Sequence, residues 1–209
     1  MKLIGKLDSP YVRRVAISLQ YLGLTFEHRS LSVFKNYNEF KQFNPAVKVP
    51  TVICDDGTVL MDSSIILDYA ENLVAPKQRL VPCDAEQRRR TLHIVGLALV
   101  ASEKSVQIYY EKHLREEGKK DQRWLSRVTE QAEETFVLLE RAISPLWQSV
   151  TEDNIDQAVI STAVAWYFAR EVIPDIAIES RYPALTKLSQ KTEAYTAFQA
   201  ASFHNSCMV

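Results

Sequence analysis

The 209-residue sequence has no Cys-x-x-Cys pair and no His/Cys cluster at zinc spacing, which excludes dithiol chemistry within the protein and argues against a structural metal. Its three cysteines, Cys54, Cys83 and Cys207, are odd in number and unevenly spaced, so they build no disulfide framework and fit a reducing compartment. No apolar run approaches the ~20 residues of a membrane span. The longest candidate, Leu92 to Ala101, is short and contains His93 and Gly96. The opening MKLIGKLDSP lacks the apolar core of a signal peptide and reads as a strand, so a cytoplasmic protein is expected. Neither sign of charge is in excess: 25 Lys and Arg stand against 26 Asp and Glu, a net charge of -1. No electrostatic footprint for nucleic acid or an acidic membrane follows from that balance. Internal repeats and low-complexity tracts are also missing.

What is present is enough apolar material, 46% of residues, to bury a real core, in a chain long enough for two small domains. Lys2 to Leu7 reads as a strand. Asp8-Ser9-Pro10 then starts a helix, because Ser9 can cap free backbone N–H groups and Pro10 lacks the donor that the first helical position would leave unpaired. Val12, Val15, Ala16, Leu19 and Leu22 fall on one face, and Gly23 ends the helix. Thr25 to Leu31 is a second strand, returning parallel to the first. Asn36 to Phe43 is a short helix closed by Asn44-Pro45. Lys48-Val49-Pro50 leads into a strand through Cys54, with Pro50 a candidate cis residue that presents neighbouring backbone groups to a ligand. Asp55-Asp56-Gly57 is a hairpin turn, and Thr58 to Met61 is the returning strand. Asp62-Ser63-Ser64 repeats the arrangement at Ser9, opening a helix with Ile65, Ile66, Tyr69, Ala70 and Leu73 as its apolar side.

Two helix N-termini thus open from strand ends of one small sheet, where open α/β sheets bind ligands, and both favour negative charge. The unit β-α-β-α-β-β-α spans residues 1–75, a proline-containing linker 76–84, and the remainder, 85–209, reads as all helix. Within it, Ala85 to Gly118 and Asp121 to Trp147 are long helices. Asn154 and Gln157 form a capping box for a third helix whose run Ala158 to Ala169 is apolar nearly all round and therefore central. Pro174 and Pro183 bound two short segments, Ala194 to Ala201 is a last helix, and Ser202 to Val209 is expected to be loose.

Ser9-Pro10 after the first strand, Asn44-Pro45 followed by Lys48-Val49-Pro50, and Asp62-Ser63 after the fourth strand stand in order along the chain. With the proline linker and the all-helical remainder, this set resembles the soluble glutathione transferases over the entire chain, in the serine-type pattern of the theta, zeta and omega kind. The resemblance implies an α/β thioredoxin-like N-terminal domain plus an all-α C-terminal bundle, with glutathione as co-substrate, no metal, and a homodimer. It implies that Ser9 contacts the glutathione sulfur as the catalytic residue, and that Val49, before cis Pro50, pairs by backbone with the cysteinyl part. Asp62 and Ser63 would hold the γ-glutamyl end, Lys48 would add a further contact, and Asn154 and Gln157 would have a structural role. Asp62 replaces the more usual glutamate, shortening the reach to the amine, and Gln157 stands where the capping box usually has aspartate.

These assignments suit the ligand's chemistry: two carboxylates need cationic or N–H donors and an amine needs an acid. The thiol is the nucleophile, and a hydroxyl donor at a helix terminus selectively stabilises its thiolate. The implied reaction is conjugation of glutathione to a small hydrophobic electrophile. Glutathione-dependent disulfide or peroxide reduction, and a non-catalytic ligand-carrying protein of the same fold, are the alternatives. Tyr11, Tyr109 and Tyr110 are candidates for the second-substrate pocket. Cys54, His28, His93 and His113 read as structural or solvated, and Arg13-Arg14 as a solvated helix face from which Arg13 alone has a chance of reaching the crevice. Arg88-Arg89-Arg90 at the start of a helix oppose its dipole, which suggests carboxylate partners on a second subunit.

Overall fold

The computed structural model describes residues 1–206; Cys207 lies outside the described residues. By its own contacts the chain divides into a first unit, Met1–Cys83 joined by the C-terminal segment from Tyr195, and a second unit, Asp84–Ala194.

The first unit is a four-stranded sheet in the order β2-β1-β3-β4, with β1 at Lys2–Ile4, β2 at Glu27–Arg29, β3 at Thr51–Ile53 and β4 at Val59–Met61. β1 and β2 are parallel and the other two pairs antiparallel, as the helix between the first two strands and the Asp-Asp-Gly turn between the last two demand. β1 and β2 are shorter than the alternation suggests. β1 ends at Gly5, whose φ of 140 takes the backbone out of the strand.

Helix α1, Pro10–Tyr21, buries the expected Val12, Val15, Ala16, Leu19 and Leu22. It closes with Gly23 at φ 69, where the Gly23 N–H donates to Gln20 O and the Leu24 N–H to Leu19 O, the double bond of a Schellman ending. Helix α2, Tyr37–Phe43, contributes Phe40 to a cluster with Ile4 and Leu31.

Helix α3, Ser63–Glu71, splits the expected apolar side in two. Ile66, Leu67 and Ala70 turn inward, whereas Ile65 and Tyr69 are exposed, together with Leu73 just past the helix end. Glu71 is buried as well, its carboxylate accepting from the Leu80 and Val81 N–H groups at 3.0 and 3.2 Å. That contact corrects the reading of 76–84 as a free linker: a buried acceptor on α3 holds the strap with Leu80 and Val81 inward, and the division falls between Cys83 and Asp84.

The second unit packs α4 (Ala85–His113), α5 (Gln122–Ile143), α6 (Gln157–Val172) and α7 (Pro183–Glu193). Among the triple arginine of α4, Arg90 pairs with Glu86 one turn earlier on the same helix, a partner that needs no second subunit. α6 is buried on nearly every side, as its composition requires, and Trp166 meets Phe136 and Tyr182 edge-on at 5.3 Å each. Its start differs from expectation. The N-cap is Asp156, which accepts from the Val159 N–H at 2.9 Å. Asn154 instead closes the preceding turn by accepting from the Thr151 N–H at 2.7 Å, and buried Gln157 donates to Ser161. Asp156 stands immediately before the first helical residue, where a side-chain oxygen reaches the third N–H, whereas Asn154 is two residues too early.

The C-terminal segment corrects the assignment of all of 85–209 to the helical domain. Helix α8, Thr196–Ala200, packs on α1, and the following residues continue as a 3-10 turn with Phe203 buried. Arg13 and Gln20 supply the reason, since both donate to carbonyls of this segment.

Burial raises the Asp156 carboxyl above its ordinary value, against the lowering effect of its N–H donors and Thr91. A carboxyl raised on folding favours the native state in acid and loses that contribution as pH rises through the folded value. Asp156→Asn, which keeps the cap, is therefore expected to gain stability relative to the parent as pH is raised from 4 toward 7, whereas Asp156→Ala loses ~1 kcal/mol; urea denaturation across that range tests both.

Candidate functional site

The first unit gathers the candidate residues around the ends of β1 and β3. After Gly5 the chain turns so that the Ser9 N–H bonds Lys6 O at 3.1 Å, and Ser9 becomes the N-cap of α1. Its hydroxyl oxygen accepts from the Val12 N–H at a long 3.5 Å, and the side chain is only half-buried. A hydroxyl that accepts in this way still has its own proton to donate. No acidic residue occupies the first turn of α1, and Asp8 beside it is paired with Lys6 at 3.0 Å.

Gly5 explains how the Ser9 turn approaches the proline loop. A Cβ at Gly5 would lie 2.6 Å from Val12 Cγ2 and 3.0 Å from Val49 Cγ1, so only glycine lets α1 and Val49 close over the same strand end. The Val49–Pro50 bond is cis. Asn44 organises this loop: its side chain accepts from the Ala46 N–H and donates to Thr51 Oγ1, which donates in turn to Lys48 O. Val47, held within the loop at φ 48, is a β-branched residue in the left-handed region, a conformation the surrounding bonds must impose. Lys48 points its charge from an exposed position.

At the start of α3, the cap is Asp62 and not a serine hydroxyl. Its Oδ1 accepts from the Ser64 N–H at 2.8 Å, with its backbone at φ 74. Ser63 is the first helical residue and is buried. Its hydroxyl oxygen accepts from Arg14 Nη1 at 3.0 Å, and the same nitrogen reaches Ser64 Oγ at 3.3 Å. Arg14 thus ties α1 to the opening of α3, linking the two helix starts through a buried guanidinium. Burial lowers its pKa to about 10, with Asp62 and Tyr11 opposing that shift, so it stays charged at neutral pH.

Neither Arg13 nor Arg14 is the solvated face expected from sequence; their exposures are 1% and 4%. The signal was available. From Pro10 to Leu19 the only polar side chains besides these two are Tyr11 and Ser18, so α1 has no polar face to carry arginines into water. Tyr11, half-buried in the first turn, is close enough to act on Arg14. Tyr109 and Tyr110 belong to α4 in the second unit, where Tyr109 lies 4.8 Å from the His113 ring. Tyr110 lines a polar cleft of about 360 Å³ with Glu111, Leu114, Arg115, Glu116 and Lys119. Cys54 is buried at the end of β3, as expected, and Cys83 is exposed. His28 bonds Gly5 O through Nε2 at 2.7 Å, a structural role. No group of side chains able to hold a metal occurs among the described residues, and no described helix is long and apolar enough to cross a membrane.

Residues 3–78, the segment that carries this arrangement, match the family of glutathione S-transferase N-terminal domains. The first unit is thus similar to glutathione S-transferase N-terminal domains. Its relatives include the uncharacterized GST-like protein YibF of Escherichia coli K12, 29% identical over 90% of this chain and 91% of that protein. A probable maleylacetoacetate isomerase 2 of Drosophila melanogaster is 26% identical over 90% of this chain and 81% of its own length. Among solved structures, a glutathione transferase family member of Pseudomonas fluorescens Pf-5 with bound glutathione matches with a TM-score of 0.82 and 29% identity, covering 96% of this chain and 97% of that one. The transferase fold of a thioredoxin-like first part and a helical second part is thereby shared across the chain.

Arg14→Met leaves Ser63 buried without its donor and is expected to lower unfolding free energy by ~1–3 kcal/mol. A double-mutant cycle with Ser63→Ala, read by urea denaturation, should return a coupling energy above ~0.5 kcal/mol.

Proposed function

We propose that the protein binds glutathione between the openings of α1 and α3 and transfers its thiolate to a small hydrophobic electrophile. The observation that carries this reading is the state of Ser9: its oxygen is weakly engaged as a cap while its proton is available, at the positive end of a helix with no acid in the first turn. A free thiol of pKa about 8.5 is mostly protonated at neutral pH, and an O–H donor together with a helix terminus favours its anion. The thiol proton leaves to solvent, the sulfur forms a bond to the electrophilic carbon, and the leaving group departs with the displaced electron pair. Val49 offers backbone groups to the cysteinyl part. The second carboxylate oxygen of Asp62 takes the γ-glutamyl amine, and the Ser63 hydroxyl, its lone pair occupied by Arg14, donates to the γ-glutamyl carboxylate. Lys48 meets the other carboxylate. Bound glutathione in the Pseudomonas relative supports the ligand.

A second copy of the chain is the proposed partner. Ile65 and Tyr69 on α3 and Leu73 just beyond it stay exposed, as do Val59 and Met61 on β4, a strand in contact with α3; this is apolar surface that water disfavours.

Ser9→Ala is expected to lower kcat with an aromatic halide by about 100-fold, while calorimetric affinity for glutathione changes little. Equal turnover in the variant removes Ser9 from the chemistry, and turnover of hydroxyethyl disulfide in place of the halide assigns reduction instead. Tyr69→Asp is expected to halve the mass found by sedimentation equilibrium; an unchanged mass rejects this face as the interface.

A further inference from the structure

The C-terminal segment is tied to the helix that carries Ser9. Arg13, 1% exposed, donates from Nε to Ala201 O at 2.8 Å and from Nη2 to Phe198 O at 3.4 Å. Its guanidinium also lies 5.8 Å from the centre of the Phe198 ring. Two turns along α1, Gln20 Nε2 donates to Ala197 O at 3.2 Å. Carbonyls at the end of a helix lack intrahelical donors; in α8, only five residues long, Arg13 supplies donors to Phe198 O and Ala201 O, while Ala197 O accepts from both Gln20 and the Ala201 N–H. The cation also meets the negative end of that short helix.

The other end of Arg13 sits under the proposed catalytic hydroxyl. Its backbone N–H donates to Ser9 O at 2.9 Å, closing the first turn of α1. One residue therefore sets the turn that aims Ser9 and is itself fixed, through a buried guanidinium, to residues 188 positions away in sequence.

We infer that Arg13 is a positioning residue for Ser9 and that the C-terminal segment from Tyr195 is a strut for the first turn of α1. This rests on the proposed role of Ser9 in holding the glutathione thiolate. An arginine is required because a single planar group reaches two carbonyls at once; a lysine offers one point charge and holds the turn less firmly. The strut adds no contact to glutathione. It acts by limiting the motion of a hydroxyl whose angle to sulfur decides how much of the anion it stabilises.

The test uses full-length protein carrying Arg13→Met, Arg13→Lys or Gln20→Leu, with two readouts. In amide hydrogen exchange, Arg13→Met should speed exchange across residues 12–16 about tenfold, with smaller effects in the same direction for the other two. In the complex with glutathione, the thiol pKa read from the ultraviolet thiolate band should rise, with kcat down about tenfold and KM within about threefold, and Arg13→Lys should recover part of both. A lower unfolding midpoint with unchanged exchange in the first turn and unchanged thiol pKa overturns the inference, leaving Arg13 a purely structural tie. Should Arg13→Met not fold, Arg13→Lys and Gln20→Leu decide it, and no change in either overturns it. If the parent protein shows no thiolate band with glutathione, the Ser9 reading fails by itself, and the exchange data still decide whether the strut holds the turn.

Discussion

Two guanidinium groups on consecutive residues of α1, both removed from water, organise the first unit in opposite directions. A buried charge is expensive unless hydrogen bonds and partial charges replace the lost hydration. Arg14 finds that replacement in the hydroxyls of Ser63 and Ser64 and in the nearby Asp62; Arg13 finds it in the carbonyls of Phe198 and Ala201. Each set of partners lies on a different element, so the arginines can be satisfied only when α3 and α8 are both in place around α1. The helix beneath the candidate sulfur contact is held from two sides by requirements that cannot be met separately.

The same economy of groups governs the helix starts. Ser9, Asp62, Asp84, Asp121 and Asp156 each cap with a side-chain oxygen. At three of these the role is structural. At Ser9 and Asp62, the residues assigned to the proposed site, both caps lie beside backbone that departs from the ordinary: Asp62 itself at φ 74, and the proline loop with Val47 at φ 48. Unusual backbone is tolerated where surrounding bonds over-determine it, as Asn44 and Thr51 do for the proline loop.

Much of the architecture was readable because it depends on local periodicity and punctuation. Pro10 starts α1, Gly23 ends it, Asp-Asp-Gly turns the hairpin, and the apolar run after Ala158 marks the central helix. The positions of the candidate residues were readable in part: Ser9, Asp62 and Ser63 fall at strand-to-helix junctions, and Val49 falls in the proline loop entering β3. The α6 cap was placed at Asn154 because an amide and a glutamine stood at capping-box spacing, yet Asp156, two residues on, has the charge and a neighbour in Thr91.

The sequence by itself determined the order of helices and strands and the capped openings of α1 and α3, because capping and turn chemistry act over three or four residues. Only the tertiary structure decided which groups Arg13 and Arg14 bond, that Glu71 straps the linker, and that the segment from Tyr195 returns to the first unit. Those outcomes turn on partners 9 to 188 residues distant along the chain. Long-range pairing of this kind leaves no period in the sequence, since a donor's need is met wherever folding delivers an acceptor.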